Sequence, residues 1–181
     1  MADFFDALNE KHIEFINAQP MFFTASACST GRINLSPKGM DGSFKVFSGK
    51  LCGYVDITGS GNETAAHIKN DGRVTIMFNS YTRNALILRI YGKGRVLRPQ
   101  NPDYAEYISE FPQYNGTRQV ILIDVESVQT SCGYGVPTME VIEQKETLTK
   151  WTGSKGEEGI SEYQQQKNLK SIDGFDTGLN D

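Results

Sequence analysis

Histidine is nearly missing from this chain: His12 and His67 are the only two. Its three cysteines, Cys28, Cys52 and Cys132, are odd in number and widely spaced, with no C-x-x-C pair. So few soft ligands disfavour a zinc site, and scattered thiols of this kind fit a reducing, cytoplasmic setting. There is no excess of positive charge either. The chain carries 18 Lys and Arg against 22 Asp and Glu, a net charge of -4 with a pI near 5.3. Nucleic acids and anionic membranes both need a basic face, so those two partner classes are set aside. A small basic pocket for one phosphate stays compatible with the balance. No apolar run approaches the roughly 20 residues of a membrane span. Residues 1–15 intersperse Asp3, Asp6, Glu10 and Glu14 among apolar residues, without the basic-then-apolar order of a secretory signal.

What the chain does have is glycine, 18 residues against 6 prolines, spaced between many short apolar runs. A length of 181 residues predicts one domain with a real core. Its body spans residues 1–137, and residues 138–181 form a helical extension and tail of the same domain. Phe4, Phe5, Leu8, His12, Phe15 and Ile16 recur at helical spacing and predict an opening helix that ends before Pro20. Short strands follow at close spacing over residues 21–28, 33–37, 44–47 and 51–57, separated by Ser-Thr-Gly, Asp-Gly and Ser-Gly turns. Ser60 and Glu63 have capping-box spacing ahead of a short helix over residues 64–69. Strands resume over 73–78, 86–97 (with Gly92 and Gly94 as bend or bulge positions) and 120–128. Asn101-Pro102 opens a helix, and a weaker helical pattern covers 158–169. About seven mostly antiparallel strands with three or four short helices define an α+β, mainly β, arrangement around a barrel.

Four places offer chemistry. Thr58-Gly59-Ser60-Gly61-Asn62-Glu63-Thr64 follows a strand and opens a helix, where free N–H groups and the helix dipole suit a phosphate. The third glycine of a dinucleotide fingerprint is replaced by Thr64 and no parallel βαβ unit follows, which argues against a Rossmann site; an ordinary loop and cap is the plain alternative. Alternation puts Asn34, Ser36 and Lys38 on one face of a short strand, either a ligand groove or the solvated face of an edge strand guarded by Pro37. Arg89 interrupts an apolar strand and must meet solvent, a carboxylate or an anion. Tyr134, in the Gly-rich turn after Ser131, would close over a planar ligand or merely leave the last strand. Cys132 has no histidine near it in sequence to make it a nucleophile.

Taken in order, these blocks resemble the pyridoxamine 5'-phosphate oxidase-like FMN-binding split-barrel family, from about residue 21 to residue 136. The resemblance is carried by Gly31-Arg32-Ile33-Asn34-Leu35-Ser36-Pro37-Lys38-Gly39, by Tyr54-Val55-Asp56-Ile57-Thr58-Gly59-Ser60-Gly61-Asn62-Glu63-Thr64-Ala65-Ala66-His67, by Arg73-Val74-Thr75-Ile76-Met77-Phe78 and by Leu88-Arg89-Ile90-Tyr91-Gly92-Lys93-Gly94-Arg95-Val96. It implies a six-stranded antiparallel split β-barrel with short peripheral helices, a homodimer, and FMN in a cleft between subunits. By position Asn34, Leu35, Ser36 and Lys38 line the flavin, with Ile57 and Thr58 beside it. Asn62, Glu63 and Thr64 fall where pyridoxamine phosphate oxidases carry a Ser-Arg-Lys run for the FMN phosphate. Glu63 would repel a phosphate, so Lys38, Arg89 or another basic group compensates, or Glu63 only caps the helix. The implied activity is an FMN-dependent oxidoreductase acting on a small molecule. The Trp and Arg-x-His end that grips pyridoxal phosphate in the true oxidases is absent, Trp151 being the only tryptophan. The alternatives are a non-catalytic flavin or haem carrier on the same barrel, the latter needing His12 or His67 as axial ligand, and a ligand-free module that kept the fold. The sequence leaves open whether FMN, a deazaflavin or haem is the physiological ligand.

Overall fold

The computed structural model describes residues 2–181. Eight strands and four helices follow one another as β1 (Ala2–Phe5), α1 (Glu10–Asn17), β2 (Phe22–Ser26), β3 (Asn34–Lys38), β4 (Phe44–Ser48), β5 (Leu51–Ile57), α2 (Glu63–Asn70), β6 (Arg73–Asn79), β7 (Leu86–Leu97), α3 (Tyr104–Ile108), β8 (Thr117–Cys132) and α4 (Thr147–Lys167). All pairings are antiparallel in the order β3-β2-β6-β7-β8-β5-β4, with β1 joined to β8. This is the α+β split barrel that the spacing of strands predicts, with one strand more than the seven expected from pattern and two more than the family resemblance implies.

The barrel is closed by side chains rather than by a backbone ladder. β3 and β4 are the two ends of the strand path and do not pair. Phe22 of β2 nevertheless packs edge-on against Phe44 of β4 at 5.0 Å and against Tyr54 of β5 at 5.4 Å, and Phe44 meets Phe78 at 5.0 Å. Aromatic edges at this spacing attract beyond the area they bury. The sheet therefore curls until its ends meet across a seam. Ile76, Leu88, Ile90, Ile121 and Ile123 fill the interior. A second cluster, Val55, Leu97, Phe111, Val120 and Leu122, lies on the outer face under α3. That is why 120–123 reads as an unbroken apolar run: β8 is buried on both faces.

Three expectations need correction. The opening segment is not one helix. Ala2–Phe5 is a strand whose register, Ala2 with Ser131 through Phe5 with Val128, covers the far half of β8, where β5 no longer reaches. Pairing a bare sheet edge outweighs a helical period that Phe4, exposed on the surface, does not serve. α1 starts only at Glu10, where Asn9 accepts from the His12 N–H at 3.1 Å and His12 Nδ1 accepts from the Asn9 N–H at 3.3 Å. Burial lowers the pKa of His12, keeping it in the neutral form this cap requires. Second, α3 begins at Tyr104 rather than at Asn101-Pro102. Third, the C-terminal helix begins at Thr147, well before residue 158, and is interrupted at Gly156, whose φ of 65° is left-handed.

Gly92 marks a bulge, as its place in the strand predicts: the β7–β8 register shifts between Tyr91 and Gly92. A Cβ there would lie 2.2 Å from the Asp124 carbonyl oxygen and 2.8 Å from Ile123 Cγ2. Gly92→Ala is expected to lower stability by about 1–3 kcal/mol through overpacking, measured by urea unfolding; an unchanged midpoint would show that β8 yields at no cost.

Candidate functional site

The seam is also where the polar residues gather. Alternation along β3 holds: Asn34, Ser36 and Lys38 face inward with half-buried side chains, paired in register with Ser26, Thr24 and Phe22. Ser36 Oγ donates to Asn34 Oδ1 at 3.0 Å, and Asn34 Nδ2 donates to Thr64 Oγ1 at 3.2 Å. Lys38 Nζ crosses the seam to Asp56 Oδ1 on β5 at 3.0 Å. Leu35 points the other way, 65% exposed on the outer face.

Asp56 is the hub. It pairs in register with Gln119, whereas its neighbour Ile57 pairs with Thr117, so Arg118 is the extra residue of a bulge. In a regular strand Arg118 and Gln119 would point to opposite faces; the bulge re-aims them to one carboxylate. Asp56 Oδ2 accepts from Arg118 Nη2 at 2.7 Å, Arg118 Nε at 3.1 Å and Gln119 Nε2 at 2.8 Å. Burial alone would raise the Asp56 pKa. The Arg118 and Lys38 charges and their hydrogen bonds outweigh it and hold the carboxyl well below the usual carboxylate range. Burial likewise works to lower Lys38, and the Asp56 charge more than offsets it, so the ammonium is held charged.

The loop ahead of α2 closes this group. Arg118 Nη1 donates to the Gly61 carbonyl at 3.0 Å. Gln119 accepts from Arg98 Nε at 3.1 Å through Oε1, so its amide nitrogen faces Asp56 and, at 2.8 Å, Asn62 Oδ1. That orientation leaves Asn62 Nδ2 buried without a partner. No side chain caps the first turn of α2. The expected Ser60–Glu63 capping box is thus not formed: Asn62 is the N-cap residue, and the Glu63 carboxylate turns outward to accept the Ile172 N–H at 3.1 Å. Nothing lies within 4 Å of a Cβ built at Gly59, and one at Gly61 would meet only the flexible Glu63 side chain at 3.2 Å.

Two cavities open at the seam. The smaller, about 380 Å³, is polar and brings together Asn34, Ser36, Lys38, Ile57, Asn62, Glu63 and Thr64 with Asp56 and Arg118. The larger, about 1020 Å³, extends from Pro37, Lys38, Ile57 and Gly59 to Met21, Tyr81 and residues 139–145. Lys38 stands at their junction. Thr58 lines the larger cavity, its hydroxyl donating to the Gly116 carbonyl at 2.8 Å and accepting from Gln164 at 2.7 Å. Arg89 lies apart: on β7 it donates to Ser131 Oγ at 3.1 Å and lines neither cavity. The cation that accompanies Lys38 is Arg118. The readable signal for it was a charge at the edge of an apolar strand, opposite a second strand holding the equally isolated Asp56. Only the bulge, which no local pattern announces, puts them in contact.

An uncapped helix head, an orphaned buried amide donor, open space over Gly59 and the Lys38 ammonium fit an anionic group such as a flavin phosphate, in a cavity where Asp56 and Glu63 match the formal charge of Lys38 and Arg118. The cysteines do not extend this chemistry: burial, with the Asp124 charge, pushes the Cys52 thiol up to about 12, and burial also raises Cys28.

Asp56 carries a stability consequence of definite sign. Its native pKa lies below its unfolded value of about 3.9, so its contribution is complete above that pH and is lost as pH falls through the native pKa. Asp56→Asn leaves the buried Arg118 and the half-buried Lys38 without a counter-ion and is expected to cost about 3–5 kcal/mol at pH 7. The gap to the parent should narrow below about pH 4; urea unfolding at pH 7, 5 and 3 checks both.

The family model described as pyridoxamine 5'-phosphate oxidase matches residues 8–132. The pyridoxamine 5'-phosphate oxidase family protein ustO of Aspergillus flavus is 37% identical over 194 aligned positions, covering 97% of this chain and 77% of that protein. Among solved structures, HupZ of Group A Streptococcus superposes with a TM-score of 0.51 at 19% identity, over 67% of this chain and 91% of that one. A conserved protein of unknown function from Corynebacterium diphtheriae gives 0.51 at 7% identity, over 72% and 98%. At these identities the structural likenesses establish the fold.

Proposed function

Because the chain belongs to the pyridoxamine 5'-phosphate oxidase family, we propose that it binds FMN at the seam and acts as an FMN-dependent oxidoreductase on a small molecule. The observation that carries this reading is the uncapped head of α2 with the orphaned Asn62 amide beside Lys38. The N–H groups of the first turn of α2, Asn62 Nδ2 and Lys38 would hold the phosphate, and the adjoining cavity of about 1020 Å³ has room for the ring system and a substrate. The flavin, when bound, supplies the redox chemistry. The chain's own residues bind and orient. Asp56 holds Lys38 and Arg118 charged and in place, Ile57 and Met21 offer apolar walls, and Met139 and Val141 line the far side of the larger cavity.

The sequence departs from the B6-gripping end of the true oxidases, which supports a substrate other than pyridoxamine phosphate. Haem is the weaker alternative, because His12 and His67 are only 5% and 1% exposed, and the unpartnered His67 Nε2 is buried away from any porphyrin face. A homodimer is part of the proposal: Ile33, at 77% exposure, and Leu35 at the free edge of β3 are apolar surface that a second subunit would cover. The free cysteines agree with a cytoplasmic setting.

Lys38→Ala is expected to weaken FMN binding by about one to two decades, the worth of a charge-assisted contact. Asp56 keeps Arg118 and Gln119, so the fold should survive. Lys45→Ala, on an exposed position of β4, should leave affinity unchanged. Fluorescence titration decides, and equal affinities would remove Lys38 from the site. Sedimentation at micromolar concentration should show a dimer, with an interface upward of roughly 2,000 Å²; a monomer would remove the shared cleft.

A further inference from the structure

The loop of residues 58–62 has no regular structure and contains two glycines, so it has much freedom to lose before its N–H groups can hold an anion. That freedom is removed from one direction, by α4 and the segment after it. Gln164 Nε2 donates to Thr58 Oγ1 at 2.7 Å. Asn168, the fully buried residue that ends α4, uses both ends of its amide: Nδ2 donates to the Gly59 carbonyl at 3.1 Å, and Oδ1 accepts from Arg118 Nη1 at 2.6 Å. Arg118 in turn holds the Gly61 carbonyl. In a trans peptide the C=O and the following N–H point to opposite sides, and none of the described peptides is cis. Pulling the Gly59 and Gly61 carbonyls toward Asn168 and Arg118 therefore turns the Ser60 and Asn62 N–H groups the other way, free for a ligand.

The tail is itself anchored. Thr177 Oγ1 donates to the Asn168 carbonyl at 2.7 Å, and buried Arg98 donates to the Gly178 and Thr177 carbonyls at 2.6 and 2.8 Å. Glu63 takes the Ile172 N–H, which gives its carboxylate a task unrelated to phosphate. All of these tail residues lie beyond residue 132, where the family match ends.

We propose that Asn168 is a positioning residue for the phosphate loop, and that the C-terminal segment, hooked by Glu63 through Ile172, holds that loop and Arg118 ready to bind. This rests on the flavin reading above, so the test has one arm that needs no flavin. Backbone amide order parameters from NMR relaxation, amide hydrogen exchange and FMN fluorescence titration are measured on the full chain and on Asn168→Ala, Glu63→Ala and Glu63→Gln. In Asn168→Ala, order parameters over residues 59–62 should fall while exchange in β6–β8 stays protected, and FMN affinity should fall about tenfold or more. Glu63→Ala should release the Ile172 amide to exchange and weaken FMN; Glu63→Gln, which still accepts that N–H, should restore both. Unchanged order parameters over 59–62 in Asn168→Ala overturn the proposal, as does parental FMN affinity in a loop shown to be loosened. Should Asn168→Ala lose protection throughout the barrel, Glu63→Ala against Glu63→Gln decides by Ile172 exchange and FMN affinity. A parent chain that takes up no FMN overturns the flavin reading, while the order parameters still decide the positioning role.

Discussion

A barrel whose first and last strands do not hydrogen-bond must be closed by something else, and here the closure is a buried carboxylate. Asp56 joins Lys38 from one end of the strand path to Arg118 and Gln119 on β8. A single buried acid facing two cations is costly to desolvate and is tolerated only because nearly every lone pair and proton in the group is matched. Together with the Phe22–Phe44–Tyr54 contacts, it converts an open sheet into a barrel with a defined seam. Both cavities lie along that seam, so closing the fold and building the site are one event.

The bulge at Asp56 and Ile57 is the device that makes this possible. It gives β8 one extra residue, so two successive side chains reach one carboxylate instead of facing opposite sides. Arg118 is thereby free to hold the Gly61 carbonyl as well, linking the charge network to the loop before α2. The same network explains how a chain with an acid at position 63 can still offer donors to an anion. Positive charge comes from β3 and β8, and the acid is turned outward to the tail.

Much was legible in the sequence. Strand alternation puts Asn34, Ser36 and Lys38 on one face of β3; the structure turns that face inward and Leu35, which the resemblance places at the flavin, outward. The boundaries 51–57 and 86–97 and the irregularity at Gly92 followed from apolar runs and turn residues. Seven of the ten candidate residues meet in one small cavity. Of the others, Thr58 lies in the adjoining cavity, Leu35 faces outward, and Arg89 is held by Ser131 on the outer part of the sheet. The opening helix was misjudged because periodicity sees only the segment itself, whereas the long free edge of β8 is a property of the assembled sheet.

By itself the sequence determined the class of fold, the family, the shared face of Asn34, Ser36 and Lys38 on β3 and the glycine-bearing loop, because each is encoded in residues near one another along the chain. Tertiary structure alone decided which charges meet. Asp56 and Arg118 are 62 positions apart, and Asn168 lies 109 positions from Gly59. Their contacts depend on a bulge and on the docking of a kinked helix. Local sequence patterns report backbone preference and burial; they do not report which distant polar groups a closed barrel will bring within hydrogen-bonding distance, and that is what makes this site.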